Sequence, residues 1–340
     1  VQPMKMEPVL VERIWGGRRL AELFGKPLAP GVRVGESWEL SDHPHGRSRV
    51  ADGPLAGRTL REVLERHGPA VLGPEGLARG WGERFGLLIK FIDAADRLSV
   101  QVHPDDACAA ALAPGERGKT ECWVVVRAEP GAWLIHGLVP GVTREALAAA
   151  IAERPAGKAG RLEELLARRP VRAGDFIWVP AGTVHAIGPG LVLAEIQQSS
   201  DLTYRVFDWN RRGEDGAPRS LHVREALQVI RFSGDGPPPG GRGKTVDEPG
   251  LTVEHLADCT AFGLSRVCLA GRSWAGRTGG ECAAAVVLDG AGRLASGSAA
   301  MPVRAGDTVL VPAECGQYVL EASEPLTVLV AAPPGKAPVR

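Results

Sequence analysis

Four residues stand at spacings that suit a metal centre. Gln101 and His103 lie two apart in LSVQVHPDD. On a strand that separation sends both side chains to one face. Glu121 opens the apolar run of GKTECWVVV. His185 falls within VRAGDFIWVPAGTVHAIGPG, residues 171–190. There the spacing Gly174-x5-Pro180-x-Gly182-x2-His185 sets one tight turn before a strand and another after it, which presents His185 on the strand that follows. Two imidazoles, a carboxylate and an amide oxygen make a donor set for a catalytic Zn2+. Two histidines and a carboxylate also suit Fe(II) with open positions. Taken singly, each residue is an ordinary polar group on a solvated strand face; it is the set in this order that points to a metal.

The elements that must hold this set are short strands. RFGLLIKFIDA, LSVQVH, ECWVVVRA, AWLIHGL, DFIWVPA and GLVLAEIQQ are apolar runs separated by turn signals, a pattern of sandwiches and barrels rather than βαβ sheets. Helical patterns interrupt them. TLREVLERHG carries a capping box, Thr59 with Glu62, and stops at Gly68. TREALAAAIAER and GRLEELLARR predict a helical insertion over about 140–170, and SLHVREALQVI predicts another helix from Ser220.

The VRAGD…VPA phrase returns 132 residues later as VRAGDTVLVPAECGQY, residues 303–318, with Gln317 at the place of His185. A repeated strand–turn–strand phrase implies one structural unit used twice. The second copy keeps Gly306, Asp307 and Pro312 for shape and lacks the ligand. The Gly/Pro-rich stretch from Ser233 to Gly250 reads as a linker. The expected organisation is a catalytic domain over 1–232, a linker over 233–250 and an all-β domain without metal over 251–340.

Bulk properties narrow the function. The 340 residues carry 40 basic and 40 acidic side chains with no basic stripe, which argues against a nucleic-acid partner. No apolar stretch approaches the roughly 20 residues of a membrane span, and the N-terminus has no signal-peptide core. Six cysteines without a C-x-x-C pair read as buried thiols of a reduced, cytoplasmic protein.

The residues around the candidate ligands carry a more specific likeness. The His185 phrase resembles the second motif of the cupin superfamily, with Pro189 where that motif usually ends in Asn. VERIWGG, GESWELSDHP, LLIKFIDAADRLSVQVHPDD, GKTECWVVV, VPAGTVHAIGPGLVLAEIQQSSDLTYRVFDW and LHVREAL together resemble the zinc-dependent, type I mannose-6-phosphate isomerases of that superfamily, in their short bacterial form. The likeness extends from about Val11 to Leu227. It implies a mainly β fold of tandem cupin (jelly-roll) barrels, one Zn2+ per chain, and interconversion of mannose 6-phosphate and fructose 6-phosphate through an enediol. The family's zinc ligands fall on Gln101, His103, Glu121 and His185. Its active-site arginine falls on Arg205, acidic positions on Glu195 and Asp201, and basic positions on Lys90 and Lys119. Glu195, Asp201, a lysine or a metal-bound water are all admissible proton carriers. Arg205 suits an enediolate or a phosphate, Lys90 and Lys119 suit phosphate as point charges, and Trp15 suits a pocket wall or the core. The remaining histidines carry no functional expectation. A sugar phosphate is the expected partner, and the chain is expected to be a monomer or a small homo-oligomer. The competing readings are an iron-dependent cupin oxygenase and a non-catalytic sugar-phosphate sensor.

Overall fold

The apolar runs form strands, and the strands form two pairs of facing sheets. In this computed structural model residues 1–153, 160–213, 216–233 and 243–335 are described. The first half holds a six-stranded sheet in the order Phe176–Val179, Glu121–Ala128, Leu191–Gln198, Leu87–Ala94, Val34–Leu40, Val9–Gly17. Facing it is a five-stranded sheet in the order Leu166–Pro170, Trp133–Leu138, His185–Ile187, Val100–Val102, Tyr204–Phe207. Ile92, Trp123, Leu134, Ile187 and Leu193 fill the space between the two.

Period-two alternation gives the six-stranded sheet two working faces. Leu87, Ile89 and Phe91 point one way, into a core shared with the second half through Phe262, Leu264 and Leu329. Lys90 and Ile92 point the other way, into the cavity between the two sheets. Both faces are covered, which is why every residue of Leu87–Ala94 is buried.

The second half repeats the plan. An eight-stranded sheet, running from Gly243–Glu248 to Arg49–Val50, faces a four-stranded one containing Ser273–Arg277 and Gln317–Ala322. The repeated phrase makes the same turn in both halves. Gly174 and Gly306 have φ of 89° and 88°. Asp175 accepts from Arg172 N and Asp307 from Arg304 N, each at 3.0 Å. The fold is therefore mainly β with two related halves, each of packed open sheets rather than a closed barrel.

Several elements differ from the sequence reading. GRLEELLARR forms a 3-10 turn over Gly160–Leu165 and then the strand Leu166–Pro170, which pairs with Trp133–Leu138. Ladder bonds and the stacking of Arg168 on Trp133 at 4.1 Å outweigh the local helical propensity. Arg144–Ala152 is a helix as expected, capped by Thr143. Of the expected linker, residues 234–242 lie outside the described residues, and Gly243–Glu248 is a strand paired with Leu251–Asp258. Met4–Glu7 joins the second half, pairing with Thr308–Val311. The capping box at Thr59 and Glu62 is present, and the helix loses its geometry at His67 before resuming. All six cysteines are free, with Cys122 and Cys282 buried and the other four half-buried.

Candidate active site and metal centre

Cross-strand register assembles the site. In the five-stranded sheet Gln101 pairs with His185 on one side and Arg205 on the other. His103 follows Gln101 by two residues. The opposite sheet contributes Glu121 from the start of its strand, and Glu195 in register with Lys90 and Trp123. The residues thus come from two facing sheets and meet between them.

His103, Glu121 and His185 offer ligand atoms that all lie within 4.8 Å of one another, and all three are buried. His103 Nε2 is 3.6 Å from Glu121 Oε2, and His185 Nε2 is 3.4 Å from Oε1. His103 Nδ1 donates to the Leu202 carbonyl and His185 Nδ1 to that of Thr183, both at 2.9 Å. Those bonds fix the tautomer, so each ring turns its Nε2 lone pair toward Glu121. Burial lowers both imidazole pKa values, with Lys119 adding to the effect, and takes His185 down to about 3. Both rings are neutral at physiological pH, as metal ligands must be.

Glu121 has no hydrogen-bond donor on either carboxylate oxygen. Lys119 Nζ stands 2.7 Å from Oε2, an ion-pair distance, but off the direction of a hydrogen bond. Burial pushes the Glu121 carboxyl up, against the pull of Lys119 and with Glu195 adding to it. Lys119 Nζ also donates to His103 Nε2 at 3.1 Å, and a fully buried carboxylate facing two inward imidazole nitrogens fits a divalent cation. The Gln101 amide lies 3.2 Å from His185 Nε2 and 3.0 Å from the Ser99 hydroxyl. Turning that amide about its axis brings its oxygen to the cluster and lets its nitrogen donate to Ser99.

A cavity of about 340 Å³ opens beside this cluster, within the usual size range of small-molecule sites, roughly 300–1,000 Å³. Gln101, Lys119, Glu195, Asp201, Arg205, Lys90 and Trp15 all line it. Trp15 is both wall and core, being buried among Ile92 and Leu98. Glu195 accepts from Trp123 Nε1 at 2.9 Å. Lys90 does not snorkel. Its ammonium lies 3.6 Å from Glu36 and 3.5 Å from Glu195, and 5.0 Å over the Trp38 ring, so its charge is committed to two carboxylates. Burial favours the neutral amine of Lys119, but Glu121 and Glu195 outweigh it and hold its ammonium above the usual lysine range. Asp201 pairs with His45 at 3.1 Å rather than with Arg205.

Arg13, Glu36, Ser99 and Arg219 also line the cavity and were not singled out from the sequence. Glu36 lies in GESWELSD and Arg13 in VERIWGG, stretches that had signalled the family without marking these side chains. An i, i+2 alternation in VERIWGG was the available signal, since it puts Arg13 and Trp15 on one face.

Comparisons with known proteins identify relatives of the whole chain. Residues 4–149 match the family described as phosphomannose isomerase type I, catalytic domain. The chain is 38% identical over 320 residues to mannose-6-phosphate isomerase ManA of Bacillus subtilis (strain 168), covering 94% of this chain and 96% of that protein. It is 37% identical to the mannose-6-phosphate isomerase of Streptococcus mutans, covering 92% of each. The crystal structure of the mannose 6-phosphate isomerase from Bacillus subtilis superposes with a TM-score of 0.86 at 32% identity, over 97% of this chain and 99% of that one.

Proposed function

The chain belongs to the type I phosphomannose isomerase family, and from that premise we propose that it interconverts mannose 6-phosphate and fructose 6-phosphate. The observation that carries the reading is the buried His103–Glu121–His185 cluster, undonated at its carboxylate and opening onto a cavity rich in charge. Zn2+ is the ion this donor set suits, held by Gln101, His103, Glu121 and His185. When bound, the ion supplies Lewis acidity for negative charge at O1 and O2 of the open-chain sugar.

The chain's own residues supply the rest. Glu195 lines the cavity from the sheet opposite Gln101, and takes the C2 proton and returns it to C1. Trp123 and Lys90 grip this carboxylate, so its reach into the cavity is fixed. Lys119 holds a proton at neutral pH and serves the sugar oxygens as donor. Arg205 offers a guanidinium to a substrate oxyanion. Asp201, at the half-open rim with His45, is suited to proton exchange with solvent. No helix among the described residues is long and apolar enough to cross a membrane, and a cytoplasmic enzyme, monomeric or a small homo-oligomer, is the accompanying reading.

The test is isomerisation of mannose 6-phosphate by the purified protein, the chelator-stripped protein, and stripped protein given Zn2+. Activity that is lost and then restored is the expected result. Absence of activity in the Zn2+-loaded protein would sink the assignment.

A further inference from the structure

The outer face of the five-stranded sheet, turned away from the cavity, carries a second pocket. Leu134 points inward, into the core between the two facing sheets, so Trp133 and Ile135 point outward. With Leu166 on the neighbouring strand and Trp209 beyond Tyr204–Phe207, they enclose about 80 Å³, against about 340 Å³ for the cavity. That is room for one small group, with the body of any larger ligand left in solvent.

Two guanidinium groups and a carboxylate stand at the pocket. Arg168 lies 4.1 Å over the Trp133 ring, and Arg97 4.2 Å over the Trp209 ring. The two indoles meet edge to face at 6.4 Å. A guanidinium stacked on an indole has its plane fixed while its N–H edge stays free to donate. Among the described residues neither of these side chains has an ion pair or a hydrogen bond. Glu163 also lines the pocket, and it too has no ion pair among the described residues.

Backbone strain fixes one wall. Trp209 and Asn210 both have φ of 56°. Left-handed non-glycine residues cost about 1–3 kcal/mol each and persist where the surroundings hold them. Trp209 is held by its indole, whose Nε1 donates to the Leu98 carbonyl at 2.7 Å, and Arg211 donates to the Arg97 carbonyl at 2.5 Å. The segment so pinned touches both sites. Arg97 lines the outer pocket, whereas Leu98 lines the cavity and donates its amide to the Ile187 carbonyl at 2.8 Å. Ser99 follows, its hydroxyl 3.0 Å from the Gln101 amide. Three consecutive residues therefore lead from the outer pocket to a proposed metal ligand.

Two planar donor groups, preorganised and unclaimed, match the oxygens of a phosphate group. We propose that the outer pocket is a second ligand site, in which Arg97 and Arg168 take a phosphate group, and that its occupancy is passed to the cavity wall through Leu98. Only the coupling rests on the isomerase reading. Glu163 sorts the source of the phosphate. Its charge repels a free phosphate dianion, whereas its oxygens accept from a hydroxyl, so it favours a phosphorylated sugar over inorganic phosphate.

Full-length, Zn2+-loaded protein carrying 15N at its tryptophan indoles reports the site by NMR, with Trp133→Phe and Trp209→Phe assigning the two signals. Inorganic phosphate and glucose 6-phosphate are the probes. They are titrated into the wild type and into Arg168→Gln, Arg168→Lys and Glu163→Gln, substitutions at exposed positions, each checked for fold by circular dichroism. Both probes should move the Trp133 and Trp209 signals of the wild type. Losing charge-assisted bonds at an open site predicts a Kd roughly 5–30-fold weaker in Arg168→Gln, with partial recovery in Arg168→Lys. Glu163→Gln should tighten inorganic phosphate and weaken glucose 6-phosphate; tightening of both would assign the site to free phosphate. In turnover, inorganic phosphate should change kcat as well as KM for mannose 6-phosphate in the wild type, and act as a simple competitor in Arg168→Gln. Indole signals that stay in place, or that move with the same Kd in Arg168→Gln, overturn the site. Identical inhibition patterns in the two proteins overturn the coupling. Arg168-dependent shifts in a protein that does not isomerise mannose 6-phosphate support the site and overturn the isomerase reading alone.

Discussion

Replacing Lys90 by methionine tests whether its ammonium neutralises the cavity wall. The side chain is 4% exposed, between Glu36 and Glu195 and over Trp38. Burial alone would raise the Glu36 pKa, but Lys90, then Arg13 and the Trp38 indole, bring it down to about 2. Relative to an ordinary 4.5 that shift corresponds to about 3 kcal/mol of folding free energy. A carboxylate whose folded pKa is depressed contributes stability above its unfolded value and loses it as pH falls through the folded one. In Lys90→Met burial loses its main opponent, the Glu36 pKa rises, and the contribution shrinks or reverses. Leaving one partner of a buried pair uncompensated costs roughly 3–5 kcal/mol. Arg13 still faces Glu36, so we expect a loss of about 3 kcal/mol near pH 7. The loss narrows toward about pH 4, where protonating the carboxylate becomes an escape for the variant before it does for the wild type. Urea unfolding of chelated protein, followed by tryptophan fluorescence at both pH values, measures it. A loss below about 1 kcal/mol at neutral pH, or one identical at both pH values, would refute the reasoning.

Other predictions follow from single features. His185→Ala removes a proposed ligand, held by the Thr183 carbonyl, so Zn2+ affinity measured by competition with a chelating dye should fall by more than about 100-fold, since even outer-shell partners cost 10–100-fold. Glu195→Gln should lower kcat by roughly 10²–10⁴-fold with little change in KM if this carboxylate moves the proton; a KM effect alone would assign it to binding. Gly73→Ala should lower thermal stability by at least about 2 kcal/mol, because Gly73 has φ of 70° and an added Cβ would meet the Gly280 carbonyl oxygen at 1.9 Å. Differential scanning calorimetry reads that loss, and an unchanged Tm would show that the helix shifts freely off the second half.

What the sequence displayed were relations within one strand or one turn. Gln101 and His103 were legible because two residues on a strand share a face, and His185 because Gly174, Pro180 and Gly182 mark the turns around it. The Glu36–Lys90–Glu195 group was not legible, because it depends on Trp38 and Glu195 both falling beside Lys90 in register, a relation among strands far apart in the chain. Nor was the pairing of Met4–Glu7 with the far end of the chain, or the strand hidden in GRLEELLARR, whose residues favour a helix until Trp133–Leu138 offers a ladder.

The second copy shows the limit most clearly. Its glycine, aspartate and turn bonds match the first copy almost atom for atom. Beyond the shared Val-Pro-Ala the chains part. The first runs through Gly182 into the buried His185, whereas the second makes the 3-10 turn Ala313–Cys315 and leaves Gln317 exposed. Tyr318, one residue later, is the one that turns inward, against Trp274 at 5.9 Å and among Val253, Val309 and Leu320. A slip of one residue exchanges the two faces of a strand. Placing histidine at position 317 would therefore put an imidazole in solvent and leave the interior full. Strand phase and core filling leave this part of the second half no place for an imidazole like that of His185, and glutamine at 317 is the part of that difference the sequence could display.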